Sequence, residues 1–272
     1  MKKSEIDDLT ERAWEGDRDA QFKLAEHHDF DPKQNLEMAV FWYQNAAQQG
    51  HLDAMNALGE CYRDGDGVRR NLKEAVRWFS AAADAGHPTA QLSLGVFYHE
   101  GRGVKRDDTE AVRLYTLASK KGDFRASAML NLGYCYKHGQ GVEQNAAEAA
   151  KWFRKAAKLG HAMAAWQLAT QHLEGDGVTK SPEEALEWMR QAATQGDPEF
   201  QYELAMHLFE GTAVAQDRAE AIEWLRKAAE SRHLEAMEHL ARRYREGDGI
   251  TKNTEQARRW AERVRQHAAQ VN

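Results

Sequence analysis

Large apolar residues fall into two columns along this chain. One column holds Trp42, Trp78, Trp152, Trp188, Trp224 and Trp260, with Leu114 in the slot after Trp78, and it steps by 36 residues apart from a single step of 38. The other holds Leu24, Leu58, Leu94, Leu132, Leu168, Leu204 and Leu240, again 36 residues apart except for a first step of 34 and one of 38. A fixed period of this size marks stacked copies of one supersecondary unit. Seven copies account for nearly the whole chain.

Each copy predicts two helices. In the first, Ala54, Leu58, Gly59 and Tyr62 stand at i, i+4, i+5 and i+8 and share one helical face. Gly65, Gly101, Gly139, Gly175, Gly211 and Gly247 follow directly, where a residue with positive φ closes a helix. The second helix opens at Asn71, Asp107, Asn145, Ser181, Asp217 and Asn253, each three residues before Glu or Gln. That is the spacing of a capping box, in which the two side chains satisfy free N–H groups reciprocally. Asn35 holds the same column without the acidic partner. Ala75, Trp78, Phe79, Ala82 and Ala83 form the inner stripe. Gly50, Gly86, Gly122, Gly160 and Gly196 end this helix eight residues after the Trp/Leu column, with Arg232 in the sixth copy.

The run Ala-x-x-x-Leu-Gly-x-x-Tyr, then Gly-x-Gly-Val, then Ala-x-x-Trp-Phe-x-x-Ala-Ala-x-x-Gly-His resembles the Sel1-like repeat family, a relative of the tetratricopeptide repeats. The resemblance extends over roughly residues 16–262. It implies an all-α fold: an α/α superhelical solenoid of about seven helix-turn-helix repeats with N- and C-terminal capping helices. Its first helices would line a concave groove, and its function would be that of a bacterial adaptor in protein complexes or signalling. The expected organisation is one domain over 1–272, with a capping helix at 1–16, repeats at 17–262 and a tail at 263–272. Leu9 and Ala13 keep the register of a second helix, and the last helix is polar on its outer face, as the end of a solenoid requires.

If the first helix is oriented as in its tetratricopeptide relatives, the residues at −5, −2, +2 and +5 from the Leu column point into the groove, roughly opposite the Leu-Gly-Tyr face at about 100° per residue. The second copy places Asp53, Asn56, Glu60 and Arg63 there, and the seventh places Glu235, Glu238, Arg242 and Arg245. Between them the same positions hold Leu92, Val96, Leu130, Tyr134, Met163, Trp166, Leu173, Tyr202, Met206 and Phe209. A monomer seldom exposes so much apolar area without a use for it. Two readings stay open: a partner-binding stripe with Trp166 at its centre, or an inner core formed where adjacent first helices pack together.

Composition narrows the functional classes. A net charge of −6 over 272 residues argues against a nucleic-acid surface. Mean hydropathy is −0.79 and no apolar run approaches a membrane span, so no membrane insertion is expected. The N-terminus lacks the apolar segment of a secretory signal, which points to a cytoplasmic location. With 8 Trp, 8 Tyr and 9 Phe the chain has too many aromatics for a disordered protein.

Catalytic and metal chemistry find little support. His51, His87, His161 and His233 recur in the inter-repeat turn, as packing or capping residues would, and adjacent His27 and His28 cannot share one helical face for a metal. Cys61 and Cys135 occupy equivalent positions two copies apart, which suits small buried hydrophobes. Secreted relatives with two cysteines per repeat have been linked to β-lactam binding, and this chain lacks those pairs. No Ser-x-x-Lys, Gly-x-Ser-x-Gly or Gly-x-x-x-x-Gly-Lys run occurs. The expectation is therefore a non-enzymatic adaptor with no cofactor and no metal, monomeric or weakly dimeric, that binds a protein or peptide in its groove. The alternatives are a toxin-neutralising or inhibitor-type protein, a structural module that self-associates, and, least favoured, a hydrolase of the β-lactamase-like kind.

Overall fold

The computed structural model describes residues 3–30, 35–211 and 213–271. All regular structure among them is helical. A single helix, α1 (Lys3–Trp14), precedes seven pairs, each with a leading and a trailing helix. The pairs are α2 (Arg18–Phe30) and α3 (Leu36–Gln48), α4 (Leu52–Asp64) and α5 (Leu72–Asp84), α6 (Pro88–Glu100) and α7 (Asp108–Ala118), α8 (Arg125–His138) and α9 (Ala146–Lys158), α10 (Ala162–Glu174) and α11 (Pro182–Thr194), α12 (Pro198–Glu210) and α13 (Arg218–Glu230), then α14 (Leu234–Glu246) and α15 (Thr254–Val271). Residues 263–271, expected as a tail, continue α15.

The chain forms two compact units, residues 1–135 with 139–143 and residues 136–138 with 144–272. In the first, each helix from α1 to α6 packs on the next in sequence; in the second, each from α9 to α14 does the same. Such nearest-neighbour stacking is how a repeat protein builds a continuous core from parts that have none alone.

In six of the trailing helices a large side chain directly after the tryptophan column is buried. Tyr43, Phe79, Tyr115, Phe153, Met189 and Leu225 are at most 2% exposed, whereas Trp78, Trp152 and Trp188 are only half-buried. This explains the helical glycine of the Leu-Gly step in the second and third repeats, whereas the first repeat holds Ala25 there with Tyr43 as its deep residue. A methyl group on Gly59 would lie 2.6 Å from the Phe79 ring, and one on Gly95 would lie 2.6 Å from Tyr115. Where the deep residue is the narrower Met189 or Leu225, the same register holds Ala169 or Ala205, and all four are buried in the core of the second unit.

Loop glycines serve two purposes. Gly65, Gly101, Gly139, Gly175, Gly211 and Gly247 are left-handed caps of the leading helices. Two residues on, the second glycine touches the preceding repeat: a methyl on Gly67 would fall 2.1 Å from the Leu36 carbonyl oxygen, and one on Gly177 would fall 2.2 Å from the Ala146 carbonyl carbon. Arg232 takes a left-handed φ of 67°, the only such non-glycine residue among those described.

The trailing helices start as the spacing predicts, but with only half of the expected box. Asn35, Asn71, Asp107, Asn145, Ser181 and Asp217 accept from backbone N–H groups of the first turn, and Asn253 accepts from Gln256. The reciprocal bond is replaced. The N–H of Asn71 donates to the Tyr62 carbonyl at 2.8 Å, and those of Asp107, Asn145 and Asn253 donate to Tyr98, Tyr136 and Tyr244 in the same way. Because the leading helix already satisfies that donor, the acidic side chains turn outward to Arg77, Arg113 and Lys151.

A second polar tie runs between repeats. Gln21, Gln91 and Gln201 are buried, and each donates its amide to a carbonyl in the last turn of the preceding trailing helix, Ala13, Ala83 and Ala193. Ala13 belongs to α1, so α1 meets α2 as a trailing helix would, with Leu9 and Ala13 buried.

Candidate partner-binding site

The second unit carries most of the aromatic register positions. On α10, Met163 is 39% exposed, while Trp166 and Leu173 are half-buried. Trp166 stacks on Phe200 with ring centroids 5.3 Å apart and meets His207 at 6.1 Å. On α12, Tyr202 and Met206 are half-buried. Tyr202 stacks on His233 at 4.7 Å and presents its edge to His239 at 5.6 Å. Phe209 lies elsewhere: it is 8% exposed, with the Arg243 guanidinium 3.4 Å above its ring, so it belongs to the core and offers no open surface. The row is thus part seam and part surface, since each ring lends one side to the next repeat.

In the first unit Leu92 and Val96 on α6, and Leu130 and Tyr134 on α8, are half-buried. Burial raises the Tyr134 hydroxyl above the ordinary tyrosine range. Earlier repeats of this unit use carboxylates in the same register. Burial pushes Glu26 and Glu60 above the usual glutamate range, with Asp53 adding to the effect on Glu26. Glu60 accepts from the Asn56 amide at 3.1 Å, whose own oxygen is buried with no partner among the described residues.

The recurrent histidines are helix caps tied across repeats. Nδ1 of His51, His87 and His233 accepts from the N–H three residues on. Nε2 of His87 meets Asp53 at 3.0 Å, Nε2 of His233 meets Glu199 at 3.0 Å, and Nε2 of His51 lies 3.7 Å from Asp19. In the fifth repeat the acid is replaced by Met163, and the following cap is Asp197, which accepts from Glu199 N–H instead. Met163 is therefore left out of the polar ladder. His161 departs from the pattern: its side chain makes no cap bond, and burial lowers its pKa.

Nucleophile and metal chemistry gain nothing from the geometry. Cys61 and Cys135 are buried, and desolvation pushes their thiols up to about 12 and about 11, which disfavours the thiolate. Among the described residues no three His, Cys, Asp or Glu side chains are grouped for a metal ion, and no helix is long and apolar enough to cross a membrane.

The Sel1 repeat family model matches residues 18–51, 52–87, 88–123, 126–161, 162–197, 198–233 and 234–263. The chain belongs to the Sel1 repeat family. A Sel1 repeat protein from Oxalobacter formigenes is 31% identical, with a TM-score of 0.77 over 98% of this chain and 80% of that one. A protective antigen of uropathogenic Escherichia coli strains, displaying an SLR fold, is 32% identical over 96% of this chain and 64% of its own, with a TM-score of 0.48. An immunity protein from Pseudomonas aeruginosa is 20% identical, with a TM-score of 0.50 over 78% of this chain and 80% of its own, a likeness of fold alone. No curated protein sequence matches the chain. Sel1 repeat proteins generally mediate protein–protein interaction.

Within this Sel1 repeat array, Phe200, His207 and His239 touch Trp166 or Tyr202 from outside the groove register. Phe200 supports Trp166, and its signal was a broken column, because the position four before the Leu holds Ala20, Ala54, Ala90, Ala128, Ala164 and Ala236 in the other repeats. His239 lies outside the four groove positions. Its Nδ1 is buried with no hydrogen-bond partner among the described residues.

Proposed function

We propose that this protein is a non-enzymatic binding scaffold that holds an apolar segment of another protein against α10 and α12. The observation that carries this reading is the row Met163, Trp166, Tyr202 and Met206, in which Met163 is open, Met206 is half-exposed, and Trp166 and Tyr202 stay half-exposed after stacking on the next repeat. Aromatic rings fixed from behind supply contact area at low entropy cost, and methionines adapt to the shape that meets them. A helix or extended peptide with two or three apolar anchors suits such a row. Leu92, Val96, Leu130 and Tyr134 offer a second apolar row of the same register in the first unit. A protein held this way is withdrawn from other partners, so the use we propose is sequestration or regulation of an effector, a toxin being one such partner.

The test is a peptide-display selection on the whole chain. Selected peptides are expected to share apolar anchors about one helical turn apart. Their affinity, measured by titration calorimetry, is expected to fall about tenfold or more in a Met163→Glu, Met206→Glu variant, whose two sites lie outside the ring stacks and whose circular dichroism is expected to match the parent. Peptides that bind the variant equally, or a selection that enriches nothing, would overturn the reading.

A further inference from the structure

At α14 and α15 the second unit presents a different groove. A cavity of about 440 Å³ opens between these helices, with Ala241, Ala257, Ala261 and Val264 as its floor and Arg242, Arg245 and Arg258 along its sides. One repeat earlier, the same register positions are covered by a helix. Arg243 of α14 lies on Phe209, and His239 of α14 meets Tyr202. The positions corresponding to Arg242, Arg245 and Arg258 are Met206, Phe209 and Ile222 there, and that of Ala261 is Leu225.

Two changes therefore coincide in the last repeat. Three apolar walls become guanidinium groups, and the large floor residue shrinks to a methyl, which leaves an apolar hollow under a positive rim. Keeping the end of an array soluble requires charge of either sign; here three of the charged side chains are arginines and one, Glu238, is acidic. Arg242 and Arg258 form no ion pair among the described residues, and the nearest carboxylate to Arg245 is its chain neighbour Glu246 at 3.8 Å. In a chain of net charge −6, Arg242 and Arg258 are thus cations with no ion-pair partner among the described residues, and Arg245 has only the exposed Glu246 beside it.

We propose that this end groove docks an acidic amphipathic helix of a partner protein, in the place a following leading helix would take. Apolar side chains of that helix enter the hollow over Ala257, Ala261 and Val264, and its carboxylates pair with Arg242, Arg245 and Arg258. Arginine suits the task because its fork meets a carboxylate through two parallel bonds. The surface is separate from the row on α10 and α12 and carries its own binding event.

The probe is a fluorescein-labelled helical peptide of about 16 residues with Leu at helical a and d positions and Glu elsewhere, compared with the same peptide carrying Lys for Glu. Fluorescence anisotropy with the full chain is expected to show the Glu peptide binding about tenfold or more tighter than the Lys peptide, with the difference shrinking as salt rises. Arg242→Glu with Arg258→Glu is expected to weaken the Glu peptide by about tenfold or more. Ala261→Leu, which restores the residue of the preceding repeat and fills the hollow, is expected to weaken it without altering charge, and Met163→Glu is expected to leave it unchanged. Equal binding of the two peptides, or of the parent and the charge-reversed variant, would overturn the proposal. So would sedimentation showing the parent self-associating through this groove, which would assign it to a second copy of the chain.

Discussion

The two units join their repeats through the same register with different chemistry. In the first two repeats of the first unit, the leading-helix positions of that register hold Asp19, Phe22, Glu26, Asp53, Asn56 and Glu60, and the joins are His87 to Asp53 and Phe22 stacked 4.4 Å from His51. In the second unit they hold Met163, Trp166, Tyr202 and Met206, joined by Trp166 to Phe200 and Tyr202 to His233. Because His87 and Asp53 join the second and third repeats with no aromatic ring at Asn56, stacking of repeats does not by itself require an aromatic at that position. The aromatic surplus of the second unit is what the proposed binding role would ask for, and it is expected to make that seam the stronger of the two.

The largest test of that contrast is truncation of the two central residues. Trp166→Ala removes a half-buried indole stacked on Phe200 and is expected to cost about 2–3 kcal/mol in urea unfolding. Asn56→Ala, at the same register in the first unit, removes a hydrogen bond to Glu60 together with a buried oxygen that has no partner, and is expected to cost about 1 kcal/mol or less. Equal losses would mean that the seams do not differ in strength.

The capping histidines give a finer comparison. His233→Ala loses the cap of α14, the contact to Glu199 and the stack on Tyr202, and is expected to cost about 1–2 kcal/mol. His87→Ala loses the cap and the Asp53 contact without an aromatic stack, at about 1 kcal/mol. Asp53→Ala is expected to stay within about 0.5 kcal/mol, because the carboxylate is largely exposed. Thermal unfolding of the three variants measures the order, and a His87 loss equal to that of His233 would remove the stacking contribution.

Repeat number, most helix boundaries and the helix-ending glycines were legible because each is a local requirement repeated many times, so period and position reinforced one another. Legibility fell where a contact joins two helices. The spacing of Asn71 and Glu74 announced a capping box, yet the Asn71 N–H bonds to Tyr62, which belongs to the neighbouring helix and leaves no trace in that spacing. Phe209 sat in the groove register by counting, but Arg243 of the following helix covers it. The groove register identified Trp166 and Tyr202 but not the rings that support them, since Phe200 and His239 are single departures in columns that are otherwise small or polar.

The smallest expected effect is a difference in sign between the units as pH falls. Burial raises Glu26 and Glu60 above the usual glutamate value of 4.5, so their contribution is full below that value and is lost as pH rises through the folded one. Burial, aided by Arg242 and Arg243, lowers His239 below 6.5, so its contribution is present above that value and is lost as pH falls through the folded one. Between pH 7 and pH 5 the second unit therefore weakens through His239 while the ionised carboxylates of the first unit become less of a burden. Glu60→Gln keeps an acceptor for Asn56 and is expected to raise the unfolding midpoint at pH 7 by about 1 °C, with the gain fading towards pH 4. His239→Gln, the residue that the fifth repeat carries at this register as Gln167, is expected to flatten the decline between pH 6.5 and pH 5. If both variants shifted the pH profile in the same direction, the two seams would share one electrostatic character, and the contrast between them would rest on stacking alone.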